Sequence, residues 1–270
     1  MKIGMRGHDF GKMDIEALPK FIKDKGFDTI QLAPPKAIEG INSWSDMNLH
    51  IAEKIRKSFE SVNLEISVFG CYIEPALLNE ETRLEQVEIF KKGIVYAKEI
   101  GANYIGTETT YLSPATKKED REIVYKLLKD SVLRMTELAE KEGIDIAIEP
   151  VADHTLNDAE ITRRLLDEVS SERLKIILDP FNVLLTTTVN IQENIYKDFF
   201  DLCLKEICVL HMKGLKIVNG EKEWDFLEST INYEYIFKWL HENKPNIPIL
   251  REHIKLDSYE KDLEFIRRMI

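Results

Sequence analysis

Ile146-Ala147-Ile148-Glu149, Ile176-Ile177-Leu178-Asp179, Cys208-Val209-Leu210-His211 and Ile249-Leu250-Arg251-Glu252 share one pattern: a short apolar, mostly β-branched run ending in a side chain able to bind a metal. The terminal residues stand 30, 32 and 41 positions apart, about the length of one strand-helix repeat. In a barrel of alternating strands and helices, the C-terminal strand ends all open onto one face, where catalysis takes place. The pattern therefore aims three carboxylates and one imidazole at a single point.

Eight apolar strand candidates punctuate the chain, at 2–6, 28–33, 65–70, 103–107, 144–149, 174–179, 207–211 and 248–252. Amphipathic stretches with helical spacing lie between them, such as Ile15, Leu18, Phe21 and Ile22, or Leu84, Val87, Phe90, Ile94 and Ala97. Gly26, Gly101 and Gly143 each close a helical stretch just before a strand, where glycine tolerates the left-handed conformation that ends a helix. Eight strand-then-helix units without a break predict a single (β/α)8 TIM barrel spanning residues 1–270. The rival, an open doubly wound sheet, lacks its Gly-x-Gly-x-x-Gly after the first strand.

Composition narrows the class. With 44% hydrophobic and 31% charged residues, the chain reads as a soluble protein with a substantial core. No stretch reaches the roughly 18 apolar residues of a membrane span, and Met1-Lys2-Ile3-Gly4-Met5-Arg6 reads as a strand rather than a signal peptide. Three cysteines, Cys71, Cys203 and Cys208, form no even framework, so reduced thiols and a cytoplasmic location are expected. A net charge of −11 with mixed helix faces argues against nucleic acid as a partner.

Glu149, Asp179, His211 and Glu252 offer three hard oxygen donors and one nitrogen. That set suits one divalent ion: Mn²⁺ first, with Mg²⁺, Co²⁺ or Zn²⁺ also accommodated. Three carboxylates gathered without counter-charge repel one another, which is itself a reason to expect a cation. Four ligand-type residues at successive strand ends are hard to read as chance surface polarity.

Across nearly its whole length the chain resembles the xylose-isomerase-like TIM barrels, which include sugar and sugar-phosphate isomerases and 3-epimerases of the tagatose epimerase kind. The likeness rests on Ile148-Glu149-Pro150, Leu178-Asp179-Pro180-Phe181-Asn182, His211-Met212-Lys213 and Arg251-Glu252. It implies that the four strand-end residues bind one divalent metal and that Glu149 and Glu252 also transfer protons. A metal-polarised ketose would form a stabilised enediolate; with a carboxylate on each face, one removes the proton and the other returns it. The resemblance further implies a small carbohydrate substrate, no membrane partner, and a homodimer or tetramer.

The chain departs from the family pattern at several positions. Asn182 stands where many relatives carry His, which points toward the ketose-phosphate branch; Gln31 replaces a strand-end Glu; Gly214 follows Lys213 where Asp is common. Arg6, His8, Lys36, Glu108, His154, Asn182 and Lys213 are the substrate-contact candidates, with Lys36 and Lys213 as anion contacts. Trp44 and Trp224 belong to loops on the same face, Trp239 belongs to the core, and Arg251 is turned away from the pocket by strand alternation. Two alternatives share the barrel. A dehydratase or lyase of inositol or shikimate breakdown differs mainly in its substrate. An endonuclease IV-like repair enzyme needs further histidines for a trinuclear zinc site, where this chain has Cys71, Tyr72, Thr107, Glu108 and Asn182.

Overall fold

The computed structural model describes residues 1–226 and 228–270. Eight parallel strands close a barrel: β1 (Ile3–Arg6), β2 (Thr29–Leu32), β3 (Glu65–Gly70), β4 (Tyr104–Glu108), β5 (Asp145–Glu149), β6 (Leu174–Leu178), β7 (Ile207–Met212) and β10 (Ile249–Arg251), in the order β1-β10-β7-β6-β5-β4-β3-β2. Each lies within one residue of its expected bounds. The apolar runs are continuous because both faces of these strands are covered, the inner by opposite strands and the outer by helices. Val68, Ala147, Ile177, Cys208, Val209 and Leu250, contributed by five strands and no helix, form one buried cluster, while the larger core joins strands to helices. No helix among the described residues is long and apolar enough to cross a membrane.

The helices start and stop where local chemistry dictates. The side chains of Asn48, Asn79, Asp158 and Asn232 each accept a backbone N–H in the first turn of the helix they precede. Gly101 and Gly143, with φ of 81° and 74°, end the helices Glu80–Ile100 and Lys118–Glu142. Helix spacing and strand register thus bring every barrel strand to the same face with its C-terminal end exposed to the loops.

One element has no counterpart in the eight-unit reading: an antiparallel hairpin of β8 (Lys216–Val218) and β9 (Glu221–Glu223) inserted after β7. Its turn, Asn219-Gly220, has φ of 52° and 85°, the double left-handed conformation that Asn-Gly favours. The signal was present, but Glu221-Lys222-Glu223 carries no apolar alternation to mark a strand. The chain then returns so close to Gly214 that a Cβ there would lie 2.0 Å from the carbonyl oxygen of Asp225. Glycine at 214 is thereby explained: the returning backbone occupies the space a side chain needs.

Arg251 points outward, as alternation requires. Its guanidinium pairs with Asp262 of the helix Tyr259–Met269 at 2.9 Å, and both residues are buried. The pair ties β10, and with it Glu252, to the outer layer. Removing one partner strands a buried charge, so Asp262→Ala is expected to lower the unfolding free energy by about 3–5 kcal/mol in urea denaturation. The paired replacement Arg251→Met/Asp262→Leu is expected to recover part of that loss; a single variant as stable as the parent contradicts the buttress.

Candidate metal centre

Four strands deliver the site. Glu149 is the last residue of β5, His211 lies in β7, and Asp179 and Glu252 directly follow β6 and β10. All four are buried. Donor atoms of Glu149, Asp179 and His211 lie within 4.8 Å of one another, a spread that one divalent ion with bonds of roughly 2.0–2.6 Å can close after small adjustment. Glu252 completes the ring: its Oε1 lies 3.1 Å from His211 Nδ1, and Glu149 Oε2 lies 3.2 Å from the same nitrogen. Neither ring nitrogen of His211 meets these neighbours in hydrogen-bonding geometry. A buried imidazole left in that condition is costly, and a divalent cation bound at one of its nitrogens would relieve part of that cost. The donor set and the unpaired imidazole both fit a divalent metal.

Counter-charge comes from within the site. Lys213 shares a face with His211, two residues earlier, and its Nζ lies 2.9 Å from Asp179 Oδ2 and 3.0 Å from Glu252 Oε2. It also donates to Asn182 Oδ1 at 3.1 Å, while Asn182 Nδ2 donates to Glu149 Oε1 at 2.5 Å. Arg6 Nη1 approaches Glu252 Oε2 at 3.5 Å and is held by Asp9 at 2.7 Å. Burial opposes a charge on Lys213, but Asp179 and Glu252 hold its pKa well above the usual value. Burial also works to protonate Glu252, yet Lys213, His211 and Arg6 prevail and hold its carboxyl well below the usual range. For His211, burial disfavours the proton and is outweighed by Glu252 and Glu149, which push its pKa up to about 9. Asp179 is shifted upward by burial, with Lys213 acting against the shift.

The remaining candidates line the same face. Burial and the charge of Glu149, its register partner across β4 and β5, push Glu108 up to about 7. Burial, with Arg6 and Lys36 adding to it, lowers His8 to about 4, leaving a neutral ring whose Nδ1 has no partner among the described residues. His154 packs edge-on against Tyr111 at 6.3 Å between centroids, and burial lowers its pKa. Lys36 is exposed and holds its ammonium 4.1 Å from the centroid of Tyr72. Lys213, expected from sequence to contact a substrate phosphate or hydroxyl, has its ammonium beside Asp179, Glu252 and Asn182.

Of the tryptophans, Trp239 stacks on Phe200 in the helix layer, Trp44 packs on Phe69, and exposed Trp224 stacks at 3.8 Å on His253. Three contributors escaped the sequence reading. Asp9 orients Arg6; Tyr72 projects from the loop after β3; Lys222 of the hairpin donates to the carbonyl oxygen of Phe181 at 3.0 Å. Only Tyr72 had an alternation signal, standing two residues beyond Gly70.

Residues 19–269 match the family model of the xylose isomerase-like TIM barrel. Among curated proteins, none matches by sequence. Solved structures give three informative likenesses. The first is a 3-keto-D-glucoside 4-epimerase, YcjR, from E. coli, with a TM-score of 0.78 at 19% identity over 99% of both chains. A D-tagatose 3-epimerase-like protein gives 0.78 at 18% identity, covering 100% of this chain and 97% of its own. An IOLI protein with a bound zinc atom gives 0.71 at 15% identity, over 96% and 91%. At such identities the likeness shows the shared fold.

The electrostatics of the metal-free centre set a pH dependence. A metal needs the neutral His211 ring, and its pKa of about 9 lies above the ordinary 6.5. Stability contributed by the protonated ring is therefore fully present below pH 6.5 and lost as pH rises through 9. Apparent affinity for Mn²⁺, read by calorimetry, is expected to climb up to about tenfold per pH unit between 6.5 and 9, with proton release on binding. Affinity flat across that window contradicts a metal bound through His211.

Proposed function

The chain belongs to the xylose isomerase-like TIM barrel family, and we propose that it is a divalent-metal-dependent isomerase or epimerase of a sugar or sugar phosphate. The observation that carries this reading is the placement of Glu149 and Glu252, whose carboxylate oxygens approach one imidazole nitrogen at 3.2 and 3.1 Å. Two carboxylates so placed flank whatever carbon lies over the centre. When bound, a divalent cation there supplies Lewis acidity, polarising a carbonyl and making the adjacent C–H acidic. Glu149, Asp179, His211 and Glu252 would hold that ion.

The chain's own residues supply the rest. One of Glu149 and Glu252 takes the proton from the carbon beside the carbonyl; the other returns one to the opposite face, which inverts the centre. Asn182 holds Glu149 by a hydrogen bond, and Lys213 and Arg6 keep Glu252 ionised, so the two carboxylates enter the cycle in different environments. Such asymmetry is what an acid and a base acting in turn require. Sugar-epimerase neighbours in fold support the same class.

Metal-stripped protein reloaded with Mn²⁺, incubated with ketoses and ketose phosphates in D₂O and followed by NMR, tests the proposal. Deuterium at C3 with a new diastereomer is expected for a 3-epimerase, and deuterium at the carbon of an emerging aldose for an aldose–ketose isomerase. Glu149→Gln and Glu252→Gln are each expected to slow exchange by about 10²–10⁴-fold, and metal removal to abolish it. Exchange equally fast in both variants overturns their roles, and no exchange across the panel counts against sugar chemistry.

A further inference from the structure

Gln31 ends one hydrogen bond short. It is 2% exposed, its Nε2 donates to the phenol oxygen of Tyr72, and its Oε1 has no partner among the described residues. The phenol proton likewise has no acceptor among the described residues. Buried polar groups are normally paired, so the buried Gln31 oxygen beside the half-buried phenol forms an unfinished network.

The pair faces the metal centre. Arg6 and Gln31 are register partners on parallel β1 and β2, which turns their side chains to the same side, and Arg6 reaches Glu252. Glu252, Glu108, Glu149 and Arg6 are the charged groups that act on the Tyr72 phenol. The ring itself is fixed: the Lys36 ammonium sits 4.1 Å from its centroid, and a Cβ on Gly70 would come within 3.2 Å of its Cε2. Glycine at 70 leaves the ring its place beside the strand.

We propose that Gln31 and Tyr72 form a subsite that recognises one hydroxyl of the substrate beside the metal centre. An alcohol both gives and takes a hydrogen bond. It donates to Gln31 Oε1 and accepts from the Tyr72 phenol, completing both residues. Turning the amide over exchanges the roles: the phenol donates to the amide oxygen, leaving an N–H donor and a phenol lone pair. Either way one donor and one acceptor remain for the ligand. A carbonyl or phosphate oxygen has no proton to give and leaves the acceptor unpaired. A sugar lacking that hydroxyl is then disfavoured, because the buried Gln31 oxygen and the half-buried Tyr72 phenol stay unsatisfied. This deepens, and rests on, the sugar reading proposed above.

Two measurements separate the subsite from that reading. Crystals of the Mn²⁺-loaded protein soaked in xylitol are expected to show an alcohol oxygen at roughly 2.7–3.2 Å from both the Gln31 amide and the Tyr72 phenol. Xylitol ordered elsewhere, or no xylitol at all, overturns the subsite. For the ketose that exchanges in D₂O, Tyr72→Phe keeps the ring and removes the hydroxyl. It is expected to raise KM about three- to tenfold, with no rise for the one monodeoxy analogue that lacks the recognised hydroxyl. An equal rise for every deoxy analogue overturns the subsite while leaving the sugar reading intact. Xylitol between the two residues, with no ketose exchanging, supports the subsite and counts against the reaction.

Discussion

Gathering three carboxylates on one buried face is the constraint from which the rest of the structure follows. Glu149, Asp179 and Glu252 are all nearly inaccessible to solvent, so water cannot screen their repulsion. The protein meets that repulsion with Lys213 between Asp179 and Glu252, with Arg6 at the edge of Glu252, and with His211, whose pKa those carboxylates raise. These groups balance the site only in part, since the His211 nitrogens have no hydrogen bond among the described residues. A divalent ion would add charge and engage one of those nitrogens. Stability of the metal-free fold and affinity for the metal are thus coupled through the same imidazole.

The outer layers serve this face. Arg251 and Asp262 anchor the short last strand to its helix, so Glu252 is presented from a fixed base. Asp9 holds Arg6 while also accepting the backbone N–H of Ile254, which links the loops after the first and last barrel strands. Gly214 lets the inserted hairpin fold back against the end of β7, bringing Lys222 over Phe181. Specificity in such a barrel belongs to these loops rather than to the ring of ligands.

Much of this was legible in the sequence, for physical reasons. Strands buried on both faces read as uninterrupted runs such as Ile146-Ala147-Ile148, and Gly101 and Gly143 mark where helices stop. Because strand ends share one face, Glu149, Asp179, His211 and Glu252 could be assembled without coordinates. Partners set by loop geometry were not legible. The engagement of Lys213 with two carboxylates depends on the positions of β6 and β10 relative to β7, which the sequence does not display. The hairpin was hidden because β8 and β9 are three residues each and β9 is all charged. Gln31 and Tyr72 lie 41 residues apart, and the parallel pairing of β2 with β3 brings them together.

The central claim, that these four side chains hold a single divalent cation, is tested most directly by anomalous diffraction from crystals loaded with Mn²⁺. A single manganese peak ringed by Glu149, Asp179, His211 and Glu252, at roughly 2.0–2.4 Å from their donor atoms, is the predicted result. Manganese bound elsewhere, or a cluster in which His211 remains uncoordinated, contradicts it.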